Sequence, residues 1–195
     1  MGKINSILNN IPLPIRLFLG KALLFFVVWK VIYTFFLFDS QLFDKVLTKH
    51  VGDTSAFVLN NSGLMSGFTS EIEKYDSVFN GEKLNNQVSA IYHHGEKVLH
   101  IANVCNGLEL IVLYIGFIVC MPSSFKRKLL YIIFGVIILD LINIFRCVGL
   151  IYLSEYFEAY FDFAHHYLFK AIVYLATFLL WVKFSRKISL NEKSI

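Results

Sequence analysis

Apolar and polar positions alternate along this chain in long blocks. Four apolar runs stand out: about 15–38, Gly107 to Cys120, "LLYIIFGVIILDLINIFRCVGLIYL" from Leu129 to Leu153, and His166 to Phe184. Runs of this kind are what a bilayer crossing of roughly 20 residues with few charges demands. The pattern predicts an all-α integral membrane protein with about four transmembrane helices, forming a single membrane domain over 1–195. Between the first and second runs, 39–103 is polar and mixed. Within it "QVSAIYHHGEKVLHIANV" predicts two short strands around His94-Gly95-Glu96-Lys97, because β-branched and aromatic residues flank a glycine turn. A small extracytoplasmic hairpin is therefore expected to lead the chain into the second span.

Composition turns that pattern into a requirement. Of 195 residues, 56% are hydrophobic, 20 are Phe and only 16% are charged, with mean hydropathy +0.61. A soluble domain of this length has too little interior for so much apolar surface. The net charge of +4 does not point to nucleic acid, because Lys and Arg collect at the ends of the apolar runs. The first run carries Lys21 and Lys30 and exceeds the roughly 7–15-residue core of a cleavable signal, so a retained signal anchor is expected.

Basic residues in short loops set orientation. Lys126, Arg127 and Lys128 follow the second run, Arg186 and Lys187 follow the fourth, and Lys3 and Arg16 precede or open the first. With four spans these fall on one side, which places both termini in the cytoplasm. The opposite loop, "SEYFEAYFDFAH", holds Glu155, Glu158 and Asp162 and no Lys or Arg. The two signals agree and place the polar chemistry on the outer face of the membrane.

Ionisable residues inside a span are costly and mark functional sites. The third run carries Asp140, Asn143 and Arg146 at three-residue spacing, one stripe of a helix. Cys105 stands at the outer start of the second run, followed by Asn106-Gly107, and His165 and His166 stand at the outer start of the fourth. Four spans therefore bring a thiol, a guanidinium and an imidazole to one boundary of the membrane. A thiol attacks as thiolate, which a nearby cation or a helix N-terminus favours. An imidazole can return a proton to a leaving amine, and an Arg can hold a developing oxyanion. These parts describe acyl transfer through a thioester.

Other residues have plainer readings. Cys120 and Cys147 suit packing, and an odd cysteine count without C-x-x-C argues against a disulfide framework or a redox pair. His93, His94 and His100 lack the spacing of a metal site, so no metal and no cofactor is expected. Asp140 could be a structural partner for Arg146, and Glu109 could orient His166 or Arg146 or pair with Arg146. A small proton-coupled transporter using Asp140, Arg146 and His166 is the competing function, and a structural membrane assembly protein is another. The transporter is weakened by the unbroken apolar inner half of the third run, "LLYIIFGVII", and the assembly protein fits the hydropathy equally well but explains the Arg least.

"CNGLEL" at Cys105–Gly107, "NIFRCVGL" at Asn143 and Arg146, and "HHYLFKAIVY" at His165–His166 resemble the exosortase/archaeosortase family of membrane cysteine transpeptidases. The resemblance covers about 101–181. It implies Cys105 as nucleophile, Arg146 as stabiliser of substrate or transition state, and a histidine of the fourth span as acid and base. An aromatic residue eight positions on, Tyr174, favours His166, with His165, Asn143, Asp140 and Glu109 in support. The implied substrate is the C-terminal sorting tail of exported proteins, made of a short motif, a membrane helix and a basic end. The implied partners are that tail, membrane lipid, and a lipid or glycan acceptor. Many family members have about eight spans, so this chain is similar to the catalytic half.

Overall fold

The computed structural model describes residues 13–37, 41–63, 65–79 and 82–186. Helix α1 (Leu13–Ile32) ends in a π-helical turn, Tyr33–Leu37. Helix α2 (Leu42–Asn61) follows, then strands β1 (Phe68–Phe79), β2 (Glu82–His93) and β3 (Glu96–Ile101). A 3-10 turn, Asn103–Cys105, leads into α3 (Leu108–Cys120). Helix α4 (Phe125–Tyr156) and α5 (Glu158–Phe163) come next, and a π-helical turn, Ala164–Leu168, joins α5 to α6 (Phe169–Ser185).

Two helical stretches among the described residues are long and apolar enough to cross a membrane, Phe125–Tyr156 and Glu158–Ser185. The other two expected spans are of a different kind. Helix α1 carries Arg16, Lys21 and Lys30, and α3 has only 13 residues, about 20 Å at helical rise. Leu23, Phe35, Leu130 and Phe178 are among the large apolar side chains left exposed. Apolar surface of this extent on several helices is what contact with lipid accommodates.

The expected hairpin is present and larger than the sequence suggests. His94 (φ 50°) and Gly95 (φ 90°) form its turn, positive at both central residues as a tight hairpin requires. β1 adds a third antiparallel strand, registered from Phe68 opposite His93 to Phe79 opposite Glu82. The sheet order is β1-β2-β3, and α2 packs across it. Asn60, near the end of α2, clamps the start of β1, donating to the Phe68 carbonyl at 2.9 Å and accepting from its N–H at 2.9 Å.

Helix α2 was not foreseen, and its burial pattern explains both why it forms and why it hides. Asp44, Thr48, Val51, Ser55, Ala56 and Leu59 are its buried positions, a clean helical stripe. The stripe opens with polar residues, so hydropathy does not rise along it. Val51, Ala56 and Leu59 join Phe68, Ile91, Ile101, Cys147 and Ile151 in one core between α2, the sheet and the later half of α4. Cys147, 2% exposed, is a packing residue there.

The second core, Tyr114, Ile118, Leu139 and Phe184, lies where α3, α4 and α6 meet. The basic residues, which lie on the first turn of α4 rather than in a loop, close that end of the bundle. Arg127 Nη2 donates to the Phe184 carbonyl at 2.6 Å, and Lys128 Nζ donates to the Val119 carbonyl at 2.7 Å. Each cation thus sits on the last turn of a neighbouring helix, where orphan carbonyls and the helix dipole favour positive charge.

Candidate active site

Cys105 occupies the end of the 3-10 turn between β3 and α3, partly exposed beside the α2–sheet core. Its N–H bonds the Ala102 carbonyl at 2.8 Å, and its carbonyl accepts from Asn143 Nδ2 at 3.1 Å. Gly107 then caps α3 with φ 84°, a left-handed conformation that a side chain resists. A Cβ at Gly107 would also stand 3.2 Å from Asn143 Nδ2. Glycine here lets Asn143 reach over the cap to the cysteine backbone.

Arg146 completes the pair. Its Nη2 lies 3.7 Å from Cys105 Sγ, so the guanidinium leans on the sulfur. Arg146 and Asn143 are one turn apart on α4, and that spacing puts one on the sulfur and the other on the same residue's carbonyl. Arg146 Nε is buried and takes no partner among the described residues, which leaves a donor close to the thiol.

The histidines come from the π-helical turn that opens α6. Phe169, at the start of α6, packs on Gly149 so closely that a Cβ there would stand 2.6 Å from its ring. That contact ties the start of α6, directly after the π-helical turn, to the half of α4 that bears Arg146. His165 is half-buried and stacks on Phe161, the ring centroids 5.7 Å apart. His166 is exposed, 4.8 Å from the His165 ring. Neither hydrogen-bonds Cys105 among the described residues.

Two supporting residues have other partners than those expected. Asp140 does not pair with Arg146: its Oδ2 lies 3.0 Å from His50 Nε2, because α2 packs along α4 and delivers a histidine to it. Glu109 pairs with Lys30 of α1 at 3.1 Å rather than with Arg146 or His166. His93 stacks on Phe68 at 4.2 Å and bonds Glu155 at 2.9 Å, tying the sheet to α4.

A cavity of about 320 Å3 opens beside the sulfur-bearing turn, between α1, α3, α4 and α6. Asn103, Gly107, Asn143 and Arg146 form its end near Cys105, and Trp29, Leu110, Val173 and Tyr174 give it apolar walls. Lys30 and Lys170 add positive charge, and Glu109 adds a carboxylate. Lys30 and Lys170, a lysine in each of two apolar runs, are the sequence feature that could have pointed to this cavity.

A sequence model described as transmembrane exosortase matches residues 13–182. Neither a curated protein nor a solved structure matches the chain.

Proposed function

The chain belongs to the transmembrane exosortase family, and on that premise we propose that it is a membrane cysteine transpeptidase cleaving the C-terminal sorting tails of exported proteins. The observation that carries this reading is the 3.7 Å approach of Arg146 Nη2 to Cys105 Sγ, with Asn143 holding the cysteine carbonyl at 3.1 Å. A cation on a thiol stabilises the charge that the attacking thiolate bears.

The steps follow from those positions. Cys105 gives its proton to a histidine of the 164–168 turn and attacks the scissile carbonyl, forming the carbon–sulfur bond. Arg146, which lines the cavity, supplies a guanidinium donor for the oxyanion. The histidine returns the proton to the leaving amine as the peptide bond breaks, leaving a thioester on Cys105. Water or an acceptor nucleophile of lipid or glycan class then displaces the thiol. We assign the proton to His166, with His165 in support. His166 lies four and eight residues before Lys170 and Tyr174, which line the cavity with Arg146. The tail residues next to the scissile bond occupy that cavity.

The reading includes four membrane passes, α1, α3, α4 and the α5–α6 stretch, in a bacterial inner membrane with Arg127 and Lys128 at the cytoplasmic end and Cys105 at the outer face. Cleavage of a tailed substrate by Cys105→Ala, Arg146→Ala and Cys120→Ala proteins tests it. The first two should leave the tail intact while the third processes it, and full processing by Cys105→Ala overturns the assignment.

A further inference from the structure

We infer that Asp44 is a positioning residue for the Cys105 nucleophile: from α2 its carboxylate holds, through Asn106, the turn that carries the sulfur. The inference rests on the transpeptidase reading for what the sulfur does, and on the hydrogen bonds below for how it is placed.

Asp44 is 3% exposed. A carboxyl group buried that far is costly unless its oxygens are satisfied, and both are. Oδ2 accepts from the Tyr33 hydroxyl at 2.8 Å, and Oδ1 accepts from Asn106 Nδ2 at 2.9 Å. Asn106, 1% exposed, passes the constraint along the chain: its Oδ1 accepts from the Leu108 N–H at 2.9 Å. Thr48, one turn after Asp44 on the buried stripe of α2, takes the other flank. Its hydroxyl donates to Asn103 Oδ1 at 3.1 Å and lies 3.3 Å from Asn106 Nδ2.

The asparagines on either side of Cys105 are therefore both held by α2, while Asn143 and Arg146 hold the cysteine itself from α4. Residues 103–107 are a 3-10 turn followed by a left-handed glycine, and their own backbone bonds, two within the 3-10 turn and the Ile111 N–H on the Gly107 carbonyl, shape the turn without tying it to α2 or α4. Side chains must set their position. Removing the α2 side of the clamp leaves the turn hinged on α4 alone, and the sulfur loses its fixed place on Arg146. A displacement of about 1 Å at a reacting atom is enough to cost roughly a hundredfold in rate.

The test uses the full chain in membranes, with Asp44→Ala, Asp44→Asn, Asn106→Ala and the Asp44→Ala/Asn106→Ala double variant. Tail cleavage is measured per active site, counted by iodoacetamide labelling of Cys105. Asp44→Ala should lower kcat about 10–100-fold at nearly unchanged KM. Asp44→Asn should recover most of that loss, because its amide still accepts from Asn106 and donates to the Tyr33 hydroxyl. The double variant should be no slower than Asn106→Ala, since Asp44 reaches the turn only through the Asn106 side chain, whereas Asn106→Ala also removes the Leu108 and Thr48 contacts. Unchanged kcat in Asp44→Ala, losses that add, or a loss of folded protein alone would each overturn the positioning role. If the unaltered chain cleaves no tail, the transpeptidase reading fails instead. The labelling rate of Cys105 then decides for Asp44: slowed by Asp44→Ala and restored by Asp44→Asn supports it, and no difference overturns it.

Discussion

Arg146 Nη2 and Cys105 Sγ lie 3.7 Å apart although 41 positions separate them in the chain. Two helices and a turn have to be placed for that contact to exist. Helix α4 presents Arg146 and Asn143 on one face, and Gly107 lets the cysteine turn sit against them.

The contact predicts the outcome of changing Arg146. Arg146→Ala removes both the cation on the sulfur and the guanidinium donor for the oxyanion, so kcat for tail cleavage should fall by about 100–1,000-fold. Arg146→Lys keeps a charge and loses the forked donor set, so it should recover only part of that. Single-turnover kinetics on a tailed substrate reads both.

Gly107→Ala meets two obstacles, φ 84° and an Asn143 amide 3.2 Å from the new methyl group. It should destabilise the α3 start by about 1–2 kcal/mol and reduce cleavage beyond that loss. Asn143→Ala relieves the crowding, so the double variant should be more stable than the sum of the single losses. Thermal melting of detergent-solubilised protein gives the stabilities.

The histidine pair separates by position. His166→Ala should abolish cleavage and His165→Ala should slow it about tenfold, read as kcat across pH. The reverse ranking would move the proton to His165, which is half-buried.

On the sheet, Glu73 accepts hydrogen bonds from Lys97 and Tyr92. The Lys97 bond, then the Tyr92 bond, holds the Glu73 carboxyl below its usual range, and the same contact to Glu73 raises Lys97. A lowered carboxylate stabilises the fold above its unfolded-state value and loses that contribution as pH falls through the folded one. A raised lysine contributes below its unfolded-state value and loses the contribution as pH rises past the folded one. Protection factors of the β1 and β3 amides, corrected for the intrinsic pH dependence of exchange, should therefore fall in acid and again in strong base, and Glu73→Gln should flatten both limbs.

Much of the bundle was legible because lipid forces long apolar runs, and Leu129–Leu153 lies wholly inside α4. The His94-Gly95 turn was legible because only special residues accept positive φ at both positions. Helix α2 was not, since its buried stripe begins with Asp44 and Thr48 and carries no hydropathy signal. That omission propagated into the site. Without α2, Asp140 had no visible partner but Arg146, and His50 is the residue that takes it. Asn106 likewise reads only as part of a tight entry into the helix, because its partners Asp44 and Thr48 sit on the helix that hydropathy misses.

The most direct measurement is mass spectrometry of the cysteine peptide after brief incubation with a tailed substrate. The account predicts a thioester adduct on Cys105, released by hydroxylamine and absent from the Cys105→Ala protein, which leaves the tail uncut. Tail cleavage at the normal rate by Cys105→Ala, with no adduct on Cys105 in the unaltered chain, would contradict it.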